Sequence, residues 1–159
     1  MKNITNCLII TGGSGFIGSN FIQNFFKTYG GFTDFRIINV DKISYASSPS
    51  VLSSFEKDSR YFFKKGDISD RSFIADILSS YKPHSIINFA AETHVDRSII
   101  DPMTFIENNV TGTHNLLAEA LSYFCNLTAS EKNKFRFLQI STDEVFGALE
   151  KNNPPFTEA

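Results

Sequence analysis

Cys7-Leu8-Ile9-Ile10-Thr11-Gly12-Gly13-Ser14-Gly15-Phe16-Ile17-Gly18 decides the fold of this chain. Its first five residues are a short apolar run stopped by glycine, the pattern of a strand buried on both faces. The glycines satisfy both Gly-x-Gly-x-x-Gly and Gly-x-x-Gly-x-x-Gly. Glycine permits a tight turn, lets backbone N–H groups approach a pyrophosphate, and allows a helix to pack closely on the preceding strand. A helical pattern follows, with Ile17, Phe21, Phe25 and Tyr29 on one stripe and Gly30-Gly31 closing it as a C-cap.

Further along, strands and helices alternate. Arg36–Val40 reads as a second strand, and the serine-rich stretch from Ile43 to Arg60, with Pro49, as a surface excursion holding at most one short helix. Tyr61–Lys64 is a third strand. Asp70 caps a helix carrying Phe73, Ile74, Ile77, Leu78 and Tyr81, which Pro83 ends. Ser85–Phe89 is a fourth strand. Asp101-Pro102 starts a long helix with Ile106, Val110, Leu117, Leu121 and Phe124 on one face. Gly112 within it marks close packing, since glycine inside a helix costs about 1 kcal/mol relative to alanine. Asn109 reads either as a hydrogen-bonding partner of the sheet or as an exposed helical asparagine. Phe135–Ile140 is a fifth strand. The alternation predicts an α/β, Rossmann-like, doubly wound parallel sheet in the order 3-2-1-4-5, one domain in all.

The bulk properties suit a soluble globular chain: 159 residues, 42% hydrophobic, 20% charged, net charge −2. No basic cluster exceeds Lys64-Lys65, so neither nucleic acid nor an anionic membrane is expected as partner. No run reaches the roughly 18 apolar residues of a membrane span. Met1–Thr5 leads directly into the first strand and leaves no room for a signal peptide. Cys7 and Cys125 have unrelated spacing and are expected reduced, which fits the cytoplasm. His84, His94 and His114 lack metal-ligand spacing, and no metal is assigned.

Ligands of such sheets bind beyond the carboxyl ends of the strands, at the switch point between strands 1 and 4. Three segments fall on that rim: Gly12–Gly18, Ala90-Ala91-Glu92 and Thr142-Asp143-Glu144. Asp41 ends strand 2, 23 residues beyond Gly18, where an acid accepts hydrogen bonds from an adenosine ribose. A carboxylate there repels a 2′-phosphate, so NAD is expected rather than NADP, although Lys42 next door weakens the point. Asp67 reads equally as a hydrogen-bond partner of the adenine edge and as a turn residue. Asp143 and Glu144 share one site only if the strand has ended before them. As neighbours, one carboxylate raises the pKa of the other, the arrangement of an acid and a base. Two solvated acids in a turn are the plainer alternative.

With these residues laid out, the chain resembles the extended short-chain dehydrogenase/reductase superfamily, and within it the dTDP-glucose 4,6-dehydratases. The resemblance rests on Thr11–Ser19, Asn39–Lys42, Gly66–Ile68, Ala90–Ser98 and Ser141–Gly147, and runs from about Cys7 to the last residue. It implies that NAD takes hydride from C4 of the glucose and returns it to C6. Glu144 would remove the C5 proton, Asp143 would protonate the departing C6 hydroxyl, and Thr142 would hydrogen-bond near the sugar. The cofactor site implied comprises Gly12, Gly15, Phe16, Ile17, Gly18, Asp41, Lys42, Ser44, Asp67, Ile68, Phe89, Ala90, Ala91 and Thr93, with Thr93 also near the substrate, dTDP-glucose.

Three departures stand out. Phe146 replaces the family's usual tyrosine, and Asn108 its usual threonine. The third is larger: the family's Tyr-x-x-x-Lys helix, which follows the Ser-Thr-Asp-Glu segment and deprotonates the C4 hydroxyl, is missing. The last strands and the carboxy-terminal substrate domain are missing as well. The expectation is an NAD-binding domain, residues 1–159, that does not turn over sugar nucleotide by itself and forms a homo-oligomer through the helix from Pro102 to Leu127. One chain of a split enzyme, or a non-catalytic dinucleotide-binding module or remnant, is the alternative.

Overall fold

The computed structural model describes residues 6–157; the reading of Met1–Thr5 as a lead-in lies outside them. Five parallel strands form one sheet in the order β3-β2-β1-β4-β5, the order expected. The strands are β1 (Asn6–Thr11), β2 (Phe35–Asp41), β3 (Tyr61–Lys65), β4 (Ser85–Asn88) and β5 (Arg136–Gln139).

Alternate residues of the central strands enter two separate cores, which is why these strands read as continuous apolar runs. Ile9, Ile38 and Ile86 face α2 (Arg71–Tyr81) and the long helix that precedes β5. Ile10 and Ile37 face α1 (Phe16–Tyr29) and a 3₁₀ turn, Pro49–Phe55. That turn drives Leu52 into the second core, so the serine-rich stretch is anchored rather than a free surface excursion.

Between β4 and β5 the chain forms α3 (Val95–Ile100), α4 (Pro102–Phe105), a π-helical segment (Ile106–Gly112), α5 (Thr113–Cys125) and α6 (Ala129–Lys134). Sequence periodicity missed α3 and α6. The second was detectable, because Thr128 and Glu131 form a reciprocal capping box. Asp101 caps α4 and Asp70 caps α2 through backbone N–H groups, as expected. Cys7 lies in the first core, where burial pushes its thiol up to about 11, and both cysteines are free. Among the described residues, no helix is long and apolar enough to cross a membrane.

Two helical faces differ from the sequence reading. On α1 the buried residues are Gly18, Ser19, Ile22 and Phe26, one step round from the stripe Ile17–Tyr29. Both stripes are apolar, and periodicity cannot choose between them. Its end also differs: Gly30 keeps an ordinary helical conformation with φ −61°. The left-handed position belongs instead to Lys82, φ +46°, ahead of Pro83.

On α5 the core takes Leu116 and Ala120, while Val110, Leu117 and Leu121 from the predicted face are exposed. Gly112 brings the helix so close to β3's outgoing loop that a Cβ there would stand 2.9 Å from Ile68 Cγ1. Leu116 is 1% exposed and Leu117 45%. Leu116→Ala is therefore expected to cost about 2–5 kcal/mol, and Leu117→Ala less than about 1 kcal/mol, in urea unfolding at low protein concentration.

Candidate functional site

The site is built at the carboxyl ends of β1, β2 and β4. Gly12 leaves β1 with φ +69°, and a Cβ on it would fall 2.5 Å from the Ala90 backbone nitrogen. Only glycine lets the turn pass this close to β4. Its carbonyl oxygen lies against Gly18, where a Cβ would sit 2.4 Å away. Gly15 then starts α1 with no side-chain cap, leaving first-turn N–H groups uncapped at the mouth of the cleft.

Asp41, at the end of β2, holds this turn in place. Its Oδ2 accepts the Ser14 N–H at 2.9 Å, and its Oδ1 accepts the Ile43 N–H at 2.8 Å and the Ser47 hydroxyl at 3.0 Å. The sequence reading gave this residue to the ribose alone. One lone pair on Oδ2 stays available for a ligand hydroxyl, so the structural and the binding roles are compatible.

Below the rim runs a polar row, buried at Thr11 and Asn88 and exposed at Gln139: the Thr11 hydroxyl hydrogen-bonds Asn88 Oδ1, and Asn88 Nδ2 donates to Gln139 Oε1 at 2.8 Å. It joins β1, β4 and β5 at their carboxyl ends.

A cleft of about 560 Å³, open to solvent, lies above that row. Of the residues expected to hold a cofactor, Gly12, Gly15, Asp41, Lys42, Ser44, Asp67, Ile68, Phe89, Ala90 and Ala91 line it. The other four do not line it. Phe16 and Ile17 project outward from the first turn of α1, Gly18 is buried beneath Gly12, and Thr93 is exposed on the loop before α3. Asp67 serves as a turn residue, its Oδ1 accepting the Ser69 N–H at 2.9 Å, while its Oδ2 faces Lys42.

Ala46, Ser47 and Asn108 line the cleft without having been assigned to it from sequence, and Glu92, placed on the rim with Ala90 and Ala91, lines it as well. Asn109 contacts the loop after β4 rather than the sheet. It accepts from the Glu92 N–H and donates to the Glu92 carbonyl, both at 2.8 Å.

Thr142, Asp143 and Glu144 stand apart from the cleft on an exposed 3₁₀ turn, Asp143–Phe146. The strand has ended before them, as their joint use requires. The Ile140 N–H donates to the Asn88 carbonyl at 3.1 Å, which keeps the turn on the same rim. The expected mutual rise in pKa does not occur at Glu144. The Thr142 hydroxyl first, and then hydrogen bonds from the Glu144 backbone and the Asp143 side chain, hold it below the usual carboxylate range. In an exposed turn, water screens the neighbouring charge and local hydrogen bonds dominate. Nearby, the Phe146 ring stacks on Phe156 at 5.4 Å.

Of the five tyrosines, Tyr61 has a lysine four residues on, at Lys65. Both lie on β3, about 13 Å apart by strand geometry. The Tyr61 hydroxyl is buried and accepts from Asn39 Nδ2 at 2.9 Å. It cannot replace a helical pair, whose side chains lie one above the other.

Sheet order, glycine turn and cleft define a Rossmann-like α/β protein with its site at the topological switch point. The family model described as GDP-mannose 4,6 dehydratase matches residues 9–159, and the chain belongs to that family. It is 43% identical over 151 residues to the dTDP-glucose 4,6-dehydratase of Haemophilus influenzae, covering 95% of this chain and 44% of the relative. The crystal structure of dTDP-glucose 4,6-dehydratase from Bacillus anthracis in complex with NAD matches at TM-score 0.77 and 31% identity, over 97% of this chain and 42% of that one. The dTDP-glucose 4,6-dehydratase of Streptomyces venezuelae, solved with NAD, matches at TM-score 0.77 and 35% identity, over 92% and 42%. The chain thus spans less than half the length of these relatives.

The close fit at Gly18 yields a sign test. Alanine normally stabilises a helix over glycine by about 1 kcal/mol. Gly18→Ala is expected to destabilise by about 2 kcal/mol or more, because the Cβ meets a backbone carbonyl. Gly15→Ala, whose Cβ has only one neighbour, at 3.3 Å, is expected to fold normally. Thermal unfolding of the two variants measures both.

Proposed function

We propose that this chain is the NAD-binding portion of a dTDP-glucose 4,6-dehydratase. The observation that carries the reading is the cleft itself. Its uncapped glycine turn, Asp41 and the loop after β4 meet at the switch point of a sheet shared with NAD-bound dehydratases.

The residues fit a dinucleotide. Gly15 and the first-turn N–H groups of α1 would hold the pyrophosphate, and the free lone pair of Asp41 a ribose hydroxyl. Ile68 would pack on the adenine, and Phe89, Ala90 and Ala91 would line the path towards the nicotinamide. NAD supplies a hydride acceptor that oxidises C4 of the sugar and later reduces C6.

At the sugar, Glu144 would remove the C5 proton. Asp143, its neighbour on the same turn, would pass a proton to the C6 hydroxyl. Thr142 would orient Glu144 and contact the substrate, and Thr93 would approach it from the loop after β4.

The C4 base has no counterpart on a helix of these 159 residues, so the polypeptide is expected to bind NAD without converting dTDP-glucose alone. Calorimetric titration of the folded chain with NAD⁺ is expected to show saturable binding at one site, and an assay for 4-keto product to show none. Folded protein that does not bind NAD⁺ would overturn the first part, and steady turnover the second.

The same reading makes the protein cytoplasmic and a homo-oligomer. Ile99, Ile100, Met103, Ile106, Val110 and Leu121 leave an apolar stripe exposed along α3 to α5, of the kind that marks association surfaces. Val110→Glu/Leu121→Glu is expected to convert the oligomer to monomer in light scattering while circular dichroism stays unchanged.

A further inference from the structure

Sequence leaves the choice of adenosine ribose contested, because Asp41 repels a 2′-phosphate and Lys42 attracts one. The structure shows Lys42 already engaged from three sides. Its ammonium donates to Asn108 Oδ1 and lies 3.6 Å from Glu92 Oε1 and 3.9 Å from Asp67 Oδ2.

Glu92 is the best placed of these partners. It is 8% exposed, and its backbone is clamped at both ends by Asn109. Close by, the Arg97 guanidinium lies 3.6 Å over the ring of Tyr45. Asn108 and Asn109 are consecutive in the π-helical segment. With about 4.4 residues per turn rather than 3.6, such a segment keeps neighbours closer to one face. One asparagine therefore reaches the lysine while the next holds the glutamate.

We propose that Glu92 is a specificity-determining residue, which makes the cleft select an unphosphorylated adenosine ribose by keeping Lys42 in an ion pair. The inference rests on the reading of the cleft as a dinucleotide site. Two carboxylates, Asp67 and Glu92, flank this one ammonium, and a third, Asp41, lines the same cleft. An incoming 2′-phosphate brings about two further negative charges and finds no uncommitted cation among the described lining residues, while a ribose hydroxyl needs only the open lone pair of Asp41. Glu92 acts through Lys42 and touches no reacting atom.

The test is calorimetric titration of NAD⁺ and NADP⁺ into wild type, Glu92→Gln, Lys42→Met and the double variant, with folding followed by circular dichroism. Glutamine keeps the backbone clamp and most of the shape. Glu92→Gln is expected to raise NADP⁺ affinity relative to NAD⁺ by about tenfold, the scale of one charge-assisted phosphate contact, and the gain should shrink with added salt. The double variant is expected to lose the gain. Lys42→Met alone should leave the ratio unchanged, because the lysine is already committed, and this arm stands even if Glu92→Gln fails to fold. An unchanged ratio in folded Glu92→Gln overturns the proposal. So does a shift that persists in the double variant, or a large fall in NADP⁺ affinity in Lys42→Met alone. If wild type binds neither nucleotide, the dinucleotide reading fails and this proposal with it, and the first titration separates that outcome from the others.

Discussion

The Asp41 carboxylate is the interaction on which the rest of the site depends. It gathers the Ser14 N–H from the glycine turn, and the Ile43 N–H and Ser47 hydroxyl from the loop leaving β2. Ser14 is buried, so removing the acceptor would leave a backbone donor without a partner, at a cost of about 1–3 kcal/mol. Because both segments are tied to one side chain, the turn after β1 and the wall of the cleft move as a unit. A residue type usually assigned to ligand recognition is here part of the frame that shapes the cleft.

A second layer of polar bonds supports that frame from below. The row Thr11, Asn88 and Gln139 crosses three strands in register at their carboxyl ends. Buried polar groups are tolerated only when paired, and this row is paired along its length. It fixes how β4 and β5 end relative to β1, and so where the loops at Ala90 and at Thr142 leave the sheet. The π-helical segment does similar work from the side, directing Asn108 and Asn109 at the cleft from one helical turn. Their distant partners, Lys42 and Glu92, come from the ends of β2 and β4.

The helices show how far pattern alone can carry an interpretation. The strands read correctly because residues such as Ile9–Ile10 and Ile37–Ile38 enter opposite cores, and burial on both faces is what produces a short unbroken apolar run. The helices α1 and α5 are apolar on two adjacent faces: on α1 the visible stripe borders the core, with Phe21 and Phe25 packed against it, and on α5 it is exposed. Along the π-helical segment and α5 the exposed face is the apolar stripe of Val110, Leu117 and Leu121, whereas the buried face includes small residues, Gly112 and Ala120, which carry little periodic signal. Small residues admit the helix backbone close to Ile68, a packing reason invisible to hydrophobicity. The cleft was legible where glycine or an acid has a backbone reason to be. It was illegible at Ser47 and Asn108, whose relevance comes only from contacts across the fold.

Local chemistry in the sequence determined the strand order, the glycine turn, the acid after β2 and the capping residues of α2 and α4, because each depends on neighbours within a few positions or on a repeating pattern. Tertiary structure alone decided which helical face is buried, that Asp41 braces the turn, and that Lys42 is held by Glu92, Asp67 and Asn108. Those outcomes depend on side chains 25 to 66 positions apart in sequence meeting within 4 Å. No periodicity encodes such meetings. They follow only when parallel strands bring the ends of β2, β3 and β4 to one edge of the sheet.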